Sequence, residues 1–131
     1  MNIVSIGTIT TPYNTLAECP NNIDNTSGPL CELHLDDQYK AGIRGLKPGE
    51  SIDILYWLHD SDRTVMQEKP HFRHDGEKLP GTFALRSPHR PNPIGLAKLT
   101  IVVIAEGKIM VRGLDCLNGT QIVDIKPSIN G

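Results

Sequence analysis

The amino-acid sequence predicts an all-β domain: a small β-barrel with one or two short helices and long loops. Three observations point there. Turn formers are frequent, with 12 Gly and 10 Pro in 131 residues. The apolar segments between them are short and rich in β-branched residues, as in sandwiches and barrels. Cys31-Glu-Leu-His-Leu35 alternates apolar and polar residues with the period of a half-buried strand.

Taken in order, the strand candidates are Ile3–Ile9, Leu30–Leu35, Ile52–Leu58, Thr82–Leu85, Leu99–Glu106, Lys108–Leu114 and Gln121–Ile125. Glu106-Gly107-Lys108 has the form of a tight hairpin connection, and Asn118-Gly119 marks another turn. A short helix is expected where Asp36 or Asp37 can cap it and Gly42 or Gly45 can end it. Pro12 to Pro29 and Glu68 to Pro80 are expected to be loops, the second one charged. Trp57, inside an apolar strand, is assigned to the core.

Bulk properties narrow the class. The length suits one domain spanning residues 1–131. Hydrophobic residues at 38% and charged residues at 21% describe a globular chain rather than a disordered one. No apolar run approaches the ~18 residues of a membrane span, and Met1-Asn2-Ile3 does not open a signal-like segment. A cytoplasmic protein is expected. Cys19, Cys31 and Cys116 form no paired framework and are expected as reduced thiols. Net charge is −2, unevenly placed: residues 1–85 carry 7 Lys and Arg against 12 Asp and Glu, and the remainder 6 against 3. A globally basic nucleic-acid binder is not indicated, and the C-terminal excess is either a local basic site or a plain difference between two surfaces.

Residues 81–96, Gly81-Thr-Phe-Ala-Leu-Arg-Ser-Pro-His-Arg-Pro-Asn-Pro-Ile-Gly-Leu96, carry the most chemistry. Pro88, Pro91 and Pro93 fix their own φ and push Ser87, Arg90 and Asn92 towards extended conformations. So stiff a loop loses little entropy when it orders around a ligand. Proline nitrogens donate nothing, so donors concentrate on Arg86, His89, Arg90 and Asn92. The loop is either a ligand-gripping frame or a rigid connector whose arginines pair with acids elsewhere.

This segment resembles the signature of the TrmO/YaeB-like (TsaA-like) family, tRNA methyltransferases that act on N6-threonylcarbamoyladenosine beside the anticodon. Ile6-Gly-Thr-Ile-Thr-Thr-Pro-Tyr13 resembles the family's opening strand, Tyr39 to Leu46 its helix, and Leu55-Tyr-Trp-Leu-His59 with the downstream Arg63 its central strand. Leu114-Asp-Cys-Leu-Asn-Gly-Thr120 and Val123-Asp-Ile-Lys-Pro127 resemble its closing element. The resemblance covers about Ile6 to Pro127. It implies an all-β barrel, a homodimer and S-adenosylmethionine bound near the subunit interface. The chain departs from the family at Pro20-Asn21-Asn22, where Pro-Arg-Gln is common, and at Lys47 to Ile52. No counterpart of the further C-terminal domain of some members is expected within these 131 residues.

Residue by residue, the resemblance implies cofactor contacts from Arg86, with Leu96 as an apolar wall. It adds Gly113, Leu114 and Asp115, then Asp60 and Ser61, and a covering loop at Ile23, Asp24 and Asn25. Asp115 beside Asn118-Gly119 has a plainer alternative as a turn-stabilising aspartate, and Asp60 as a solvated strand end. Methyl transfer from a sulfonium is an in-line displacement whose leaving group departs neutral, so alignment carries much of the catalysis. The acceptor amine must lose a proton, and His59, Asp60 and Asp124 are the candidate proton acceptors. Arg90, Asn92 and Lys126 are candidates for RNA phosphates or the threonyl carboxylate. Equally, Arg90 and Lys126 could pair internally with Asp124 or Asp115. His71 and His74 stand three apart, but no metal site is expected there. The sequence therefore predicts a methyltransferase acting on tRNA. The alternatives are a same-fold methyltransferase acting on a small molecule and a non-catalytic S-adenosylmethionine-binding module.

Overall fold

The computed structural model describes residues 1–67 and 79–129. Within them lie strands β1 (Gly7–Thr10), β2 (Leu30–Leu35), β3 (Ser51–Trp57), β4 (Ile94–Ala105), β5 (Lys108–Arg112) and β6 (Thr120–Pro127). They close into a barrel in the order β1-β2-β5-β4-β3-β6, and each neighbouring pair is antiparallel. Alternation sets which face of each strand turns inward. In β3, Ile52, Ile54 and Tyr56 are buried while Ser51, Asp53, Leu55 and Trp57 are half-buried on the other face. Ile9, Leu33, Leu99, Ile101, Ile109, Val111 and Ile122 complete the interior from the other strands. Each such aliphatic side chain contributes roughly 2 kcal/mol by leaving water.

Several expectations are met closely and others corrected. β2 has the predicted bounds, and β3 and β5 lie within two residues of theirs. Glu106 and Gly107 form the β4–β5 hairpin, with φ of 50° and 79°. The first strand begins at Gly7 rather than Ile3. Thr82–Ala84 is a 3-10 turn, not a strand, because Thr82 is fully buried and donates its hydroxyl to the His89 carbonyl at 2.8 Å instead of joining a ladder. β4 is longer than expected, since the chain leaves the proline loop directly into pairing with β3 at Ile94. The expected helix is a 3-10 run, Asp37–Ile43, with Asp36 at the N-cap position but no side-chain cap bond. A second 3-10 turn, Leu16–Glu18, interrupts the Pro12–Pro29 loop, its entry held by Glu18 Oε1 accepting the Thr15 amide at 3.0 Å. Trp57 is not core: alternation puts Tyr56 inside, and Trp57 lies on the outer face with the Arg63 guanidinium 5.2 Å from its ring. Most of the predicted charged loop, with His71 and His74, lies outside the described residues. Among the described residues no helix is long and apolar enough to cross a membrane.

One irregularity positions the C-terminal residues. β6 pairs Ile122 with Tyr56 and Asp124 with Leu55, so Val123 is an extra residue, a β-bulge. The inserted residue resets the alternation. Asp124 and Lys126 thereby fall opposite Leu55 and Asp53 on the outer face of the barrel.

Gly113, just past β5, is the tightest backbone approach. Its φ is +91°, and a Cβ there would lie 1.7 Å from the Asp24 carbonyl oxygen. Gly113 accepts the Asp24 amide at 2.8 Å and donates to Pro29 at 2.9 Å, so it anchors the loop before β2. Gly113→Ala is expected to destabilise the fold by about 3 kcal/mol, combining a left-handed alanine with a backbone clash. Denaturant unfolding measures this, and an unchanged midpoint would contradict the packing described.

Candidate functional site

The barrel is open to solvent at the end where β3 leaves and β4 enters. There the chain builds a cleft of about 1270 Å3. Its walls are the 16–23 loop, the exit of β3 through Leu58 to Ser61, the proline loop with the first residues of β4, and the 115–120 connection.

The proline loop is tied down through its carbonyls. The Leu58 amide donates to Pro93 at 2.7 Å, and Arg63 Nε donates to Pro91 at 2.7 Å. Arg90 Nη1 donates to Leu85 at 3.0 Å and Ser87 at 3.1 Å. Arg90 therefore lines the cleft while its guanidinium staples its own loop. It pairs with neither Asp115 nor Asp124. Arg86, exposed in the same cleft, makes no hydrogen bond or ion pair among the described residues.

At the cleft floor Tyr56 donates its hydroxyl to Asp115 Oδ1 at 3.1 Å. Burial pushes the Asp115 carboxyl above the ordinary range and the Tyr56 phenol well up, the second reinforced by the charge of Asp115. Gly95 faces Tyr56 across the β3–β4 ladder, and a Cβ there would sit 2.6 Å from the ring. The bare glycine lets the ring lie flat against the strand and reach Asp115. The neighbouring turn does not rely on Asp115: Asn118 Oδ1 accepts the Thr11 amide at 3.1 Å, and Thr120 Oγ1 donates to Leu117 at 2.7 Å.

Of the residues singled out in the sequence, Ile23, His59, Asp60, Ser61, Arg86, Arg90, Asn92, Leu96 and Asp115 line this cleft. His59 Nε2 stands 3.9 Å from Asp60 Oδ2, and both side chains are about half exposed at the rim. Asp24, Asn25, Gly113 and Leu114 lie behind the wall. The Asp24 carboxylate accepts from Thr26 and Ser27, Asn25 Oδ1 accepts the Thr100 amide at 3.3 Å, and Leu114 is fully buried. Asp124 and Lys126 lie on the outer face and pair with each other at 2.8 Å. His89, named among the loop's donors, also lines the cleft, as do Tyr56, Cys19 and Cys116, which were given no role at the site. Tyr56 had a signal, an inward position in an alternating strand opposite a glycine. Burial pushes the Cys116 thiol up to about 12, which leaves it a neutral wall atom. Among the described residues no group of three His, Cys, Asp or Glu is placed to hold a metal.

The model of the tRNA-methyltransferase O N-terminal domain matches residues 8–131. The chain belongs to this family. It is 39% identical over 122 residues to VirR, a probable S-adenosyl-L-methionine-binding protein of Rhizobium radiobacter, covering 93% of this chain and 67% of that one. A probable S-adenosyl-L-methionine-binding protein of Methanothermobacter thermautotrophicus is 34% identical, with 97% and 89% covered. Crystal structures of TrmO share the fold. The Pseudomonas aeruginosa protein superposes with a TM-score of 0.74 at 22% identity, and the match covers 98% of this chain but 56% of that one. A second TrmO structure gives a TM-score of 0.77 at 24% identity, with 98% and 57% covered. The chain thus spans little more than half the length of these solved TrmO chains.

Within the family frame, the loop behind the cleft wall has its own acid limit. Hydrogen bonds from the Ser27 hydroxyl and amide and from Thr26 hold the Asp24 carboxyl down from the ordinary 3.8 to about 2. A depressed carboxyl stabilises the fold above its unfolded value and ceases to do so as pH falls through the folded value. The Asp24 carboxyl resonance is expected to titrate near 2, and Ser27→Ala to return it towards 3.8.

Proposed function

We propose that this chain binds S-adenosylmethionine in the cleft. The acceptor of its methyl group is the exocyclic amine of a threonylcarbamoyl-modified adenosine next to the tRNA anticodon. The observation that carries the reading is the cleft itself. It sets Arg86, unpaired among the described residues, in the same cavity as the acids Asp60 and Asp115 and the apolar surfaces of Ile23 and Leu96. Membership of a methyltransferase family supports it, as do relatives named for binding this cofactor.

The donor set suits the cofactor's chemistry. It has both signs of charge for an amino-acid moiety and a sulfonium, an apolar wall for adenine, and a volume above the usual range for one small ligand. When bound, the cofactor supplies a methyl group on a positively charged sulfur. Arg86 offers a planar fork to a carboxylate. Asp115, held by Tyr56, places negative charge at the floor. Of the candidate proton acceptors, His59 and Asp60 stand at the rim, while Asp124 is on the outer face and engaged by Lys126. The proton of the acceptor amine therefore passes to Asp60 Oδ2 or His59, at the open side where a bulky nucleic acid can approach. A homodimer, with the partner flanking the open side, and a cytoplasmic location belong to the same reading. Asn92 is the cleft residue left to meet RNA phosphate.

A second reading, a small-molecule acceptor, is favoured by the net charge of −2. One assay separates them. Labelled cofactor and total tRNA, with and without the threonylcarbamoyl group, are incubated with the protein, and the digested nucleosides are analysed. Label on the modified adenosine alone is the expected result; cofactor binding with no labelled nucleoside supports the second reading. Arg86→Ala is expected to weaken cofactor binding at least about tenfold in calorimetry. Arg90→Ala acts on the fold instead, with a loss of about 1–3 kcal/mol as two loop carbonyls lose their donor. Equal cofactor affinity in wild type and Arg86→Ala would refute the assignment of Arg86.

A further inference from the structure

Every hydrogen-bonding group of His89 but one has a partner within the fold. Its amide donates to Ser87 Oγ at 3.2 Å and its carbonyl accepts from Thr82 Oγ1 at 2.8 Å. Its Nδ1 accepts the Asp62 amide at 3.0 Å. A backbone N–H can only donate, so Nδ1 is the bare nitrogen and the neutral ring carries its proton on Nε2. Nε2 has no partner among the described residues, and His89 is part of the cleft lining.

The residue is thus built as a fixed donor. Pro88 restricts the backbone before it, two hydrogen bonds fix its peptide groups, and a third fixes the ring. We propose that His89 Nε2–H receives a carbonyl or carboxylate oxygen of the methyl acceptor. The proposal rests on the reading of the cleft given above. An N–H donor demands a ligand lone pair, and Arg86 in the same cleft favours a polar or anionic oxygen there. The neighbouring arginine does not take this place, because Arg90 Nη1 is engaged by Leu85 and Ser87. His59, more exposed at the rim, has no comparable tie: its nearest acid, Asp60, is 3.9 Å away. A donor fixed before the ligand arrives discriminates between acceptors that carry an oxygen at that point and those that do not.

Two substitutions divide the ring's two duties. His89→Asn keeps an acceptor oxygen near the Nδ1 position and removes the Nε2 donor. His89→Gln keeps a donor near Nε2 and removes the acceptor for Asp62. The measurements are KM and kcat with threonylcarbamoyl-modified tRNA, calorimetric affinity for S-adenosylhomocysteine, thermal midpoint, and the ring-nitrogen NMR pattern of His89 in the free protein. His89→Asn is expected to raise KM about tenfold, the loss of one hydrogen bond to a polar ligand, with cofactor-product affinity and thermal midpoint unchanged. His89→Gln is expected to raise KM by less than His89→Asn does and to lower the thermal midpoint, and the free protein to show the Nε2–H tautomer. A proton on Nδ1, a wild-type KM in His89→Asn, or an equal loss of S-adenosylhomocysteine affinity in that variant overturns the proposal. A wild type that methylates no tRNA refutes the reading beneath it instead. The two failures are distinguishable because tautomer and cofactor-product affinity are read without turnover.

Discussion

A segment with three prolines in six residues has carbonyls in excess of amides, and buried carbonyls need donors. That imbalance organises this end of the barrel. The proline loop cannot satisfy itself, so donors come from around it: the Leu58 amide, Arg63 Nε, the Thr82 hydroxyl and the loop's own Arg90. Arg63 also lies over Trp57, which joins the loop to the outer face of β3. Once these donors are assigned, the loop side chains left without a partner among the described residues include the Arg86 guanidinium, the Asn92 amide and the His89 Nε2–H. The functional character of the cleft follows from which donors the fold has already used.

The same reasoning separates residues that look alike in the sequence. Arg86 and Arg90 are four apart in one motif, yet one is exposed in the cleft and the other holds carbonyls. Asp115 and Asp124 both sit in the closing element, yet one is half-buried against a tyrosine and the other forms an exposed pair with Lys126. In each case the side chain's chemistry is common to both positions, and the backbone around it decides the role.

Much of the fold was legible because alternation is a strong signal where one face is buried. The β2 and β3 strands follow it, and the glycine of the β4–β5 hairpin marks its turn. Thr82–Leu85 was misleading: threonine and phenylalanine favour strands, but a bridge between Gln67 and Gly81 and the demand of the His89 carbonyl bend the chain into a turn. Trp57 was misplaced because an apolar run does not reveal which parity faces inward. At the site, the resemblance grouped Arg86, Leu96, Asp60 and Ser61, and the fold brings all four to one cleft. The outward turn of Asp124 and Lys126 was not, since a single inserted residue at Val123 leaves no mark on composition. The tie between His89 and Asp62 was invisible for another reason: it joins residues 27 positions apart through a backbone amide.

The ring of strands closes on itself, with β6 hydrogen-bonded back to β1. Such a ring offers no unpaired flank for another chain to extend, so it does not need protective charges or cover along its sides. The connections at the cleft end are thereby released from any part in shielding the sheet. Pro20-Asn21-Asn22, on the cleft wall, can stand where Pro-Arg-Gln is common without exposing an aggregation-prone border. A scaffold of this kind lets ligand preference drift through its rim while the staves of the barrel stay as they are.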